Sequence, residues 1–231
     1  MKALVLNSGG VDSTTCVGLA VKQFGFENVV TASLYYGQKH DKELQCAQAI
    51  ADFYNVRHIQ EDISNVMKYA KDCTLIKGGL DIEHASYATQ IEKHGEGRVA
   101  TYVPFRNGLL LSIATAYADS LFPKQAVEIY YGAHADDAAG QAYADCSPDF
   151  ANAMGTAIRI GTYGNINVSR PLIHMNKSDV VKLGLQLNVP YHLTWSCYEG
   201  GELACGTCGT CIDRLQAFKL NGVTDPISYK D

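Results

Sequence analysis

Four cysteines near the end of the chain, Cys197, Cys205, Cys208 and Cys211, show the tightest metal-ligand spacing in the sequence. Two overlapping Cys-x-x-Cys steps bring three thiolates within reach of one ion, and Cys197 completes a tetrahedron. Gly206 and Gly209 lie between these ligands and relax the backbone there. Four thiolates in a closed shell suit structural Zn²⁺, one ion per chain. An iron–sulfur cluster is the chemical alternative. A redox Cys-x-x-Cys is the weaker reading, because its helix context is wrong. A closed shell has no position for water, so such a metal holds the fold and performs no chemistry.

The second reactive stretch is at the other end. The apolar run Ala3–Leu6 stops at Asn7, Ser8-Gly9-Gly10-Val11-Asp12 follows, and Ser13-Thr14 opens a helical pattern. Strand, glycine loop and helix in that order let a backbone approach an anion closely. The helix start aims free N–H groups at it. A phosphate group suits this loop. No Gly-Lys-Ser/Thr follows, so it is not a Walker loop, and it lacks the GxGxxG dinucleotide pattern.

Other polar residues have two readings each. Lys177 follows Asn176 at a helix start, either as a solvated first turn or as a second cation for the phosphates. Arg106, between Pro104 and Asn107 at a helix entry, reads as an anion ligand. Asp136, Asp137 and Asp145 can bind a metal or the ring nitrogens of a heterocycle, or form a solvated loop. Cys16, Cys46 and Cys73 read as core or incidental; Cys146, beside Asp145, is the free thiol worth testing.

These residues need elements to position them. Expected strands are Lys2–Leu6, 28–34, 56–60, 125–131 and 165–168. Expected helices are 13–24, 39–54, 109–122, 148–162, 177–187 and 211–220. Strands alternating with helices argue for parallel βαβ units. The expected class is α/β: a Rossmann-like three-layer sandwich around a mainly parallel sheet of about five strands. Ligands in such sheets bind beyond the carboxyl ends of the strands, so the Ser8 loop and the Tyr35–Gln38 turn should be neighbours. Residues 72–98 lose periodicity and read as a lid, an interface arm or a disordered insertion. The expected division is an α/β unit over 1–190 and a zinc-binding segment over 191–231 packed on it.

The 231 residues include 24 acidic and 19 basic ones, a net charge of −5, which disfavours a general nucleic-acid binder. With no signal peptide and no membrane-length apolar run, the chain reads as soluble and cytoplasmic.

Ser8-Gly9-Gly10-Val11-Asp12-Ser13 resembles the SGGxDS loop of PP-loop ATP pyrophosphatases, which belong to the adenine nucleotide alpha hydrolase-like folds. With Tyr36–His40, Val103–Asn107, Gly132–Cys146, Lys177–Pro190, Thr194–Tyr198 and Cys205–Arg214, the whole chain resembles the 7-cyano-7-deazaguanine synthase family of queuosine biosynthesis. That resemblance implies an ATP-dependent ligase that converts 7-carboxy-7-deazaguanine and ammonia to 7-cyano-7-deazaguanine (preQ0). It implies adenylation through an amide, with Mg²⁺ accompanying ATP. The implied ATP and pyrophosphate residues are Ser8, Gly9, Gly10, Val11, Asp12, Ser13, Thr14, Tyr36, Gln38 and Arg106. Asp12, Ser13 and Lys177 are implied in catalysis, Asp12 by placing Mg²⁺. Asp136, Asp145 and Trp195 are implied at the base, and Arg106 is a further candidate there. A homodimer is implied, with no direct nucleic-acid or membrane partner. The sequence departs from the family pattern at Phe105, where the family has Gly, and in a longer, alanine-rich Ala135–Tyr143. The alternatives are a PP-loop tRNA-thiolation enzyme and a zinc-dependent interaction module with a degenerate nucleotide site.

Overall fold

The apolar run before the glycine loop forms β1 (Lys2–Leu6), and its alternating side chains divide between two cores. Ala3 and Val5 enter one core and Leu4 the other, as the two-residue period of a strand requires. β1 pairs in parallel with β2 (Val29–Tyr35) on one side and β4 (Val127–Tyr130) on the other. β3 (Arg57–Asp62) lies outside β2 and β5 (Ile166–Ser169) outside β4, so the five-stranded parallel sheet runs β3-β2-β1-β4-β5. The computed structural model describes residues 1–95, 99–138 and 142–230; the side chains of Ala88, Ile91, His94, Asp137 and Ala138 lie outside that description.

In chain order the helices are α1 (Val11–Phe24), α2 (Lys42–Tyr54), the single turn α3 (Ser64–Met67), α4 (Tyr87–His94), α5 (Arg106–Leu121), the single turn α6 (Ala135–Ala138), α7 (Pro148–Gly161), α8 (Lys177–Gln186) and α9 (Gly209–Leu220). α1, α2, α8 and α9 pack on one face of the sheet through Val17, Ile50, Val180 and Phe218. α5 and α7 cover the other through Leu111, Ala114, Ala151 and Ile158. The α/β three-layer expectation is therefore met, and no helix of the described residues is long and apolar enough to cross a membrane.

Several helices start elsewhere than periodicity predicts. α1 begins at Val11, two residues before Ser13, so Asp12 sits in its first turn. α5 begins at Arg106, ahead of the apolar run, because Asn107 N–H finds an acceptor on Asp145 at 2.8 Å. α2 starts late, at Lys42 rather than Lys39, because Lys39 N–H is used by the Leu75 carbonyl. Phe105 takes φ +51°, a left-handed conformation that suits Gly, and its ring packs edge-on against Phe150 at 5.8 Å.

Residues 72–98 correct the expectation most. Cys73, Leu75 and Ile76 are buried with Tyr36, Met67 and Val103, and Gln38 bridges Ile76. α4 follows within the same stretch, while 96–98 lie outside the described residues. Its few apolar side chains follow no regular period because their partners are distant in sequence.

The sheet order reverses between β1 and β4, which carry their chains to opposite edges. A crevice opens there beyond the strand ends. Gly132, just past β4, lets that strand end approach α1: a Cβ there would stand 3.1 Å from Ser13 N.

Candidate active site and metal centre

The crevice is a cavity of ≈ 870 Å³. Ser8, Gly10, Val11, Asp12 and Ser13 form part of its wall. The loop is tied by its own hydroxyls: Ser8 N–H donates to Ser13 Oγ at 3.1 Å, and Gly9 N–H to Asn7 Oδ1 at 3.0 Å. Gly9 and Thr14 support the loop from behind. Gly9 takes φ +80° and packs against α2, while Thr14 Oγ1 donates to the Gly10 carbonyl at 2.6 Å. The Gly9 carbonyl accepts Trp195 N–H at 2.9 Å, which joins the loop to the C-terminal segment.

Lys177 reaches this loop from the far end of the chain. An Asn176–Asp179 capping box fixes the start of α8. Lys177 Nζ then lies 2.6 and 2.8 Å from the two Asp12 carboxylate oxygens. Its backbone N–H donates to Asp136 Oδ2 at 2.7 Å. His134 Nε2 stands 3.8 Å from Asp12 Oδ1, and its Nδ1 4.0 Å from Asp136 Oδ2. Burial alone would raise the Asp12 carboxyl, but Lys177 and His134 overcome it and hold Asp12 below the usual carboxylate value. The result is an ionised carboxylate and a lysine ammonium at the mouth of an anion-shaped loop. His134 was not singled out in the sequence; a histidine four residues past the β4 strand end, two after Gly132, was the available signal.

Tyr36, Gln38, Glu43, Arg106, Trp195 and Tyr198 also line the cavity. The two loops expected to be neighbours thus share one cavity. Gln38 Oε1 accepts Tyr36 N–H at 2.9 Å, and Arg106 Nη1 donates to Tyr36 Oη at 3.2 Å. Trp195 is buried, its indole N–H donating to the Cys197 carbonyl at 2.9 Å, with Lys42 Nζ 3.7 Å above the ring. Tyr87 and Tyr198 share a 2.5 Å hydroxyl contact. Glu43 was missed by sequence reasoning, since an acidic residue in a first helical turn is common. Burial pushes its carboxyl up to about 7, against the pull of Arg106.

Asp145 stands apart from the residues it was grouped with. It is buried, is not on the cavity wall, and its carboxylate accepts the Asn107 N–H at the start of α5. It positions Arg106 and Asn107 from behind. Cys146 is buried, and its sulfur accepts from Asn107 Nδ2 at 3.2 Å. The Asp137 side chain lies outside the described residues.

The ligand sulfurs of Cys197, Cys205, Cys208 and Cys211 all lie within 4.8 Å of one another. Backbone N–H groups of Thr207 and Cys208 point at the Cys205 sulfur at 3.4 and 3.3 Å, and Cys205 N–H at Cys197 Sγ at 3.3 Å. Contacts from Cys208 and Cys211 push Cys197 down, while contact with Cys197 pushes Cys208 up to about 12 and contacts with Cys197 and Cys208 push Cys211 up. Thiols this close cannot all ionise without a cation between them, so the donor set fits a metal ion.

The family model described as "Queuosine biosynthesis protein QueC" matches residues 2–222. The chain is 44% identical over 230 residues to a 7-cyano-7-deazaguanine synthase from Oceanobacillus iheyensis, covering 99% of this chain and 98% of that protein. It is 40% identical to one from Archaeoglobus fulgidus, over 98% of this chain and 90% of that protein. Among solved structures, NMN synthetase from Francisella tularensis shares the fold: TM-score 0.51 at 17% identity, over 96% of this chain and 78% of that one.

Proposed function

The chain belongs to the QueC family of queuosine biosynthesis proteins, and on that premise we propose that it is an ATP-dependent carbon–nitrogen ligase that converts 7-carboxy-7-deazaguanine and ammonia to 7-cyano-7-deazaguanine. The observation that carries this reading is the Asp12–Lys177 pair closing over the Ser8–Ser13 loop, in a cavity that also offers Arg106 and aromatic walls.

A carboxylate is a poor electrophile. Transfer of AMP to one of its oxygens makes that oxygen a leaving group, and pyrophosphate departs into the loop. The Lys177 ammonium and the N–H groups at the start of α1 meet the charge that develops there. Ammonia then displaces AMP and leaves an amide. A second ATP adenylates the amide oxygen, and loss of AMP and a proton closes the nitrile. The ionised Asp12 carboxylate, with the Ser8 and Ser13 hydroxyls nearby, is a hard oxygen set that fits Mg²⁺. That ion, bound with ATP, would offset phosphate charge.

Arg106, Tyr36, Gln38, Asp136 and Trp195 are assigned to the remaining cavity contacts, and Asp145 acts through the α5 start. We assign 1–190 to the nucleotide-binding unit and 191–231 to a metal-binding segment on it; Ala217 and Phe218 in the main core support that. The reading carries with it a cytoplasmic homodimer using ammonia, free or supplied by a partner, with no nucleic-acid or membrane partner.

The test is product analysis from carboxydeazaguanine, ATP and ammonium. AMP and pyrophosphate are expected in equal amounts, with a nitrile in the mass spectrum. ADP and phosphate as stoichiometric products would sink the adenylation mechanism.

We assign the four-cysteine centre to Zn²⁺, because all-thiolate tetrahedral donors suit it. Residues 199–202 are mostly exposed and build no core, so metal binding energy becomes folding energy for this segment. Metal analysis should find zinc bound to each chain, and Cys205→Ser should melt at lower temperature and lose activity indirectly. Metal-free protein with an unchanged melt and full activity would remove the assignment.

A further inference from the structure

The carboxylates on the cavity wall differ in how far they are already committed. Asp12 pairs with Lys177, Asp136 accepts the Lys177 N–H, and Asp213 has a partner of its own. Glu43 makes neither a hydrogen bond nor an ion pair at contact distance among the described residues. It enters the cavity half-buried, from the first turn of α2. The cation whose charge reaches it is Arg106, whose own hydrogen bond goes to the neutral Tyr36 hydroxyl. Tyr36, Trp195 and Tyr198 give the same region flat aromatic walls.

The backbone that carries Glu43 is locked to the phosphate loop. A Cβ on Gly9 would lie 2.2 Å from the Glu43 carbonyl oxygen and 2.9 Å from Ala47 N, so only glycine permits this contact. Asn7 Nδ2 also donates to the Ala47 carbonyl at 3.1 Å. The backbone at Glu43 therefore keeps a fixed offset from the loop where pyrophosphate would sit.

A 7-deazaguanine ring presents adjacent donors, ring N1–H and the exocyclic 2-amino group, on the edge remote from its pyrrole carboxylate. A carboxylate accepts such a pair through parallel hydrogen bonds. With the pyrrole carboxylate turned toward ATP, that edge points away from the phosphates. We propose that Glu43 is the specificity residue that accepts N1–H and the 2-amino group of the substrate ring, with Arg106 facing the ring's oxygen-bearing side. The proposal rests on the deazaguanine reading above. It moves the base-reading carboxylate from Asp145, which faces the α5 start, to Glu43.

Calorimetric binding separates this proposal from the reading beneath it. The titrants are 7-carboxy-7-deazaguanine and its analogue without the 2-amino group, each in the presence of α,β-methylene-ATP. Wild-type protein is expected to bind the amino compound roughly 100-fold more tightly, because the analogue leaves the carboxylate short of one charge-assisted hydrogen bond. Glu43→Gln should bind both compounds with nearly equal affinity, and Glu43→Asp should keep the preference at reduced affinity. Affinity for the ATP analogue and the thermal melt should not change in either variant. A Glu43→Gln protein that keeps the wild-type preference overturns the proposal, and so does a wild-type protein with none. Nitrile formation is measured separately: its absence beside intact, Glu43-dependent selectivity would overturn the reaction and leave the recognition standing.

Discussion

Lys177→Ala is expected to lower kcat/KM for ATP by about 10²–10³-fold, the usual effect of removing one preorganised charge that meets a transition state. The side chain is 13% exposed and bridges both Asp12 oxygens, so it is held before any ligand arrives. Preorganisation of this kind is what makes a cation effective in catalysis, since no reorganisation is needed as charge develops. The fold should survive, because Asp12 is 24% exposed and its freed carboxylate can be hydrated. Steady-state kinetics with a parallel thermal melt checks this. Binding of the deazaguanine should weaken far less than the adenylation step slows. Asp12→Ala should likewise abolish turnover with little change in melting. An unchanged rate in Lys177→Ala would place Lys177 outside the site.

Asp225→Ala is expected to destabilise the protein by about 3–5 kcal/mol, the cost of leaving a buried charge without its counter-ion. Arg214 is fully buried on α9. Its Nε and Nη2 donate to the Asp225 carboxylate at 2.7 and 2.9 Å. Its remaining donors reach Thr194 Oγ1, Ser196 Oγ and the Tyr191 carbonyl, all neutral acceptors. Asp225 also accepts Tyr229 Oη–H at 2.6 Å and Ile227 N–H at 3.2 Å, so its loss loosens residues 225–230 as well. Thr194 and Ser196 flank Trp195 on the cavity wall, and activity should fall with stability. Against a typical total of roughly 5–15 kcal/mol, a loss of this size is severe. Urea unfolding should show a lower midpoint at unchanged slope. The pair Arg214→Met with Asp225→Leu should recover much of the loss, because it removes both charges together. A loss below about 1 kcal/mol for Asp225→Ala would mean that Arg214 reaches water.

Local order and short spacing were legible in the sequence. The run Ala3–Leu6 followed by Ser8-Gly9-Gly10 announced a strand, a tight glycine loop and a helix start, because all three depend on neighbouring residues. The four cysteines announced a cluster that could hold a metal ion, because their spacing fixes the reach of their sulfurs. The parallel five-stranded sheet followed from the alternation of apolar runs. What depended on long-range contact was not legible. Nothing near Asp145 in the sequence says that its carboxylate turns to the Asn107 N–H and away from the cavity. The burial of Cys73, Leu75 and Ile76 is set by Tyr36 and Val103, which are distant in the chain. Glu43 looks like an ordinary first-turn acid until α2 is seen resting on Gly9. Lys177 had two readings until the reversal of strand order between β1 and β4 brought α8 over the loop of α1. The sequence by itself thus determined which groups this protein has for chemistry and which local structures carry them. Which of those groups face one another was settled only by packing, because a side chain's partner is chosen by the whole sheet and its two helical layers.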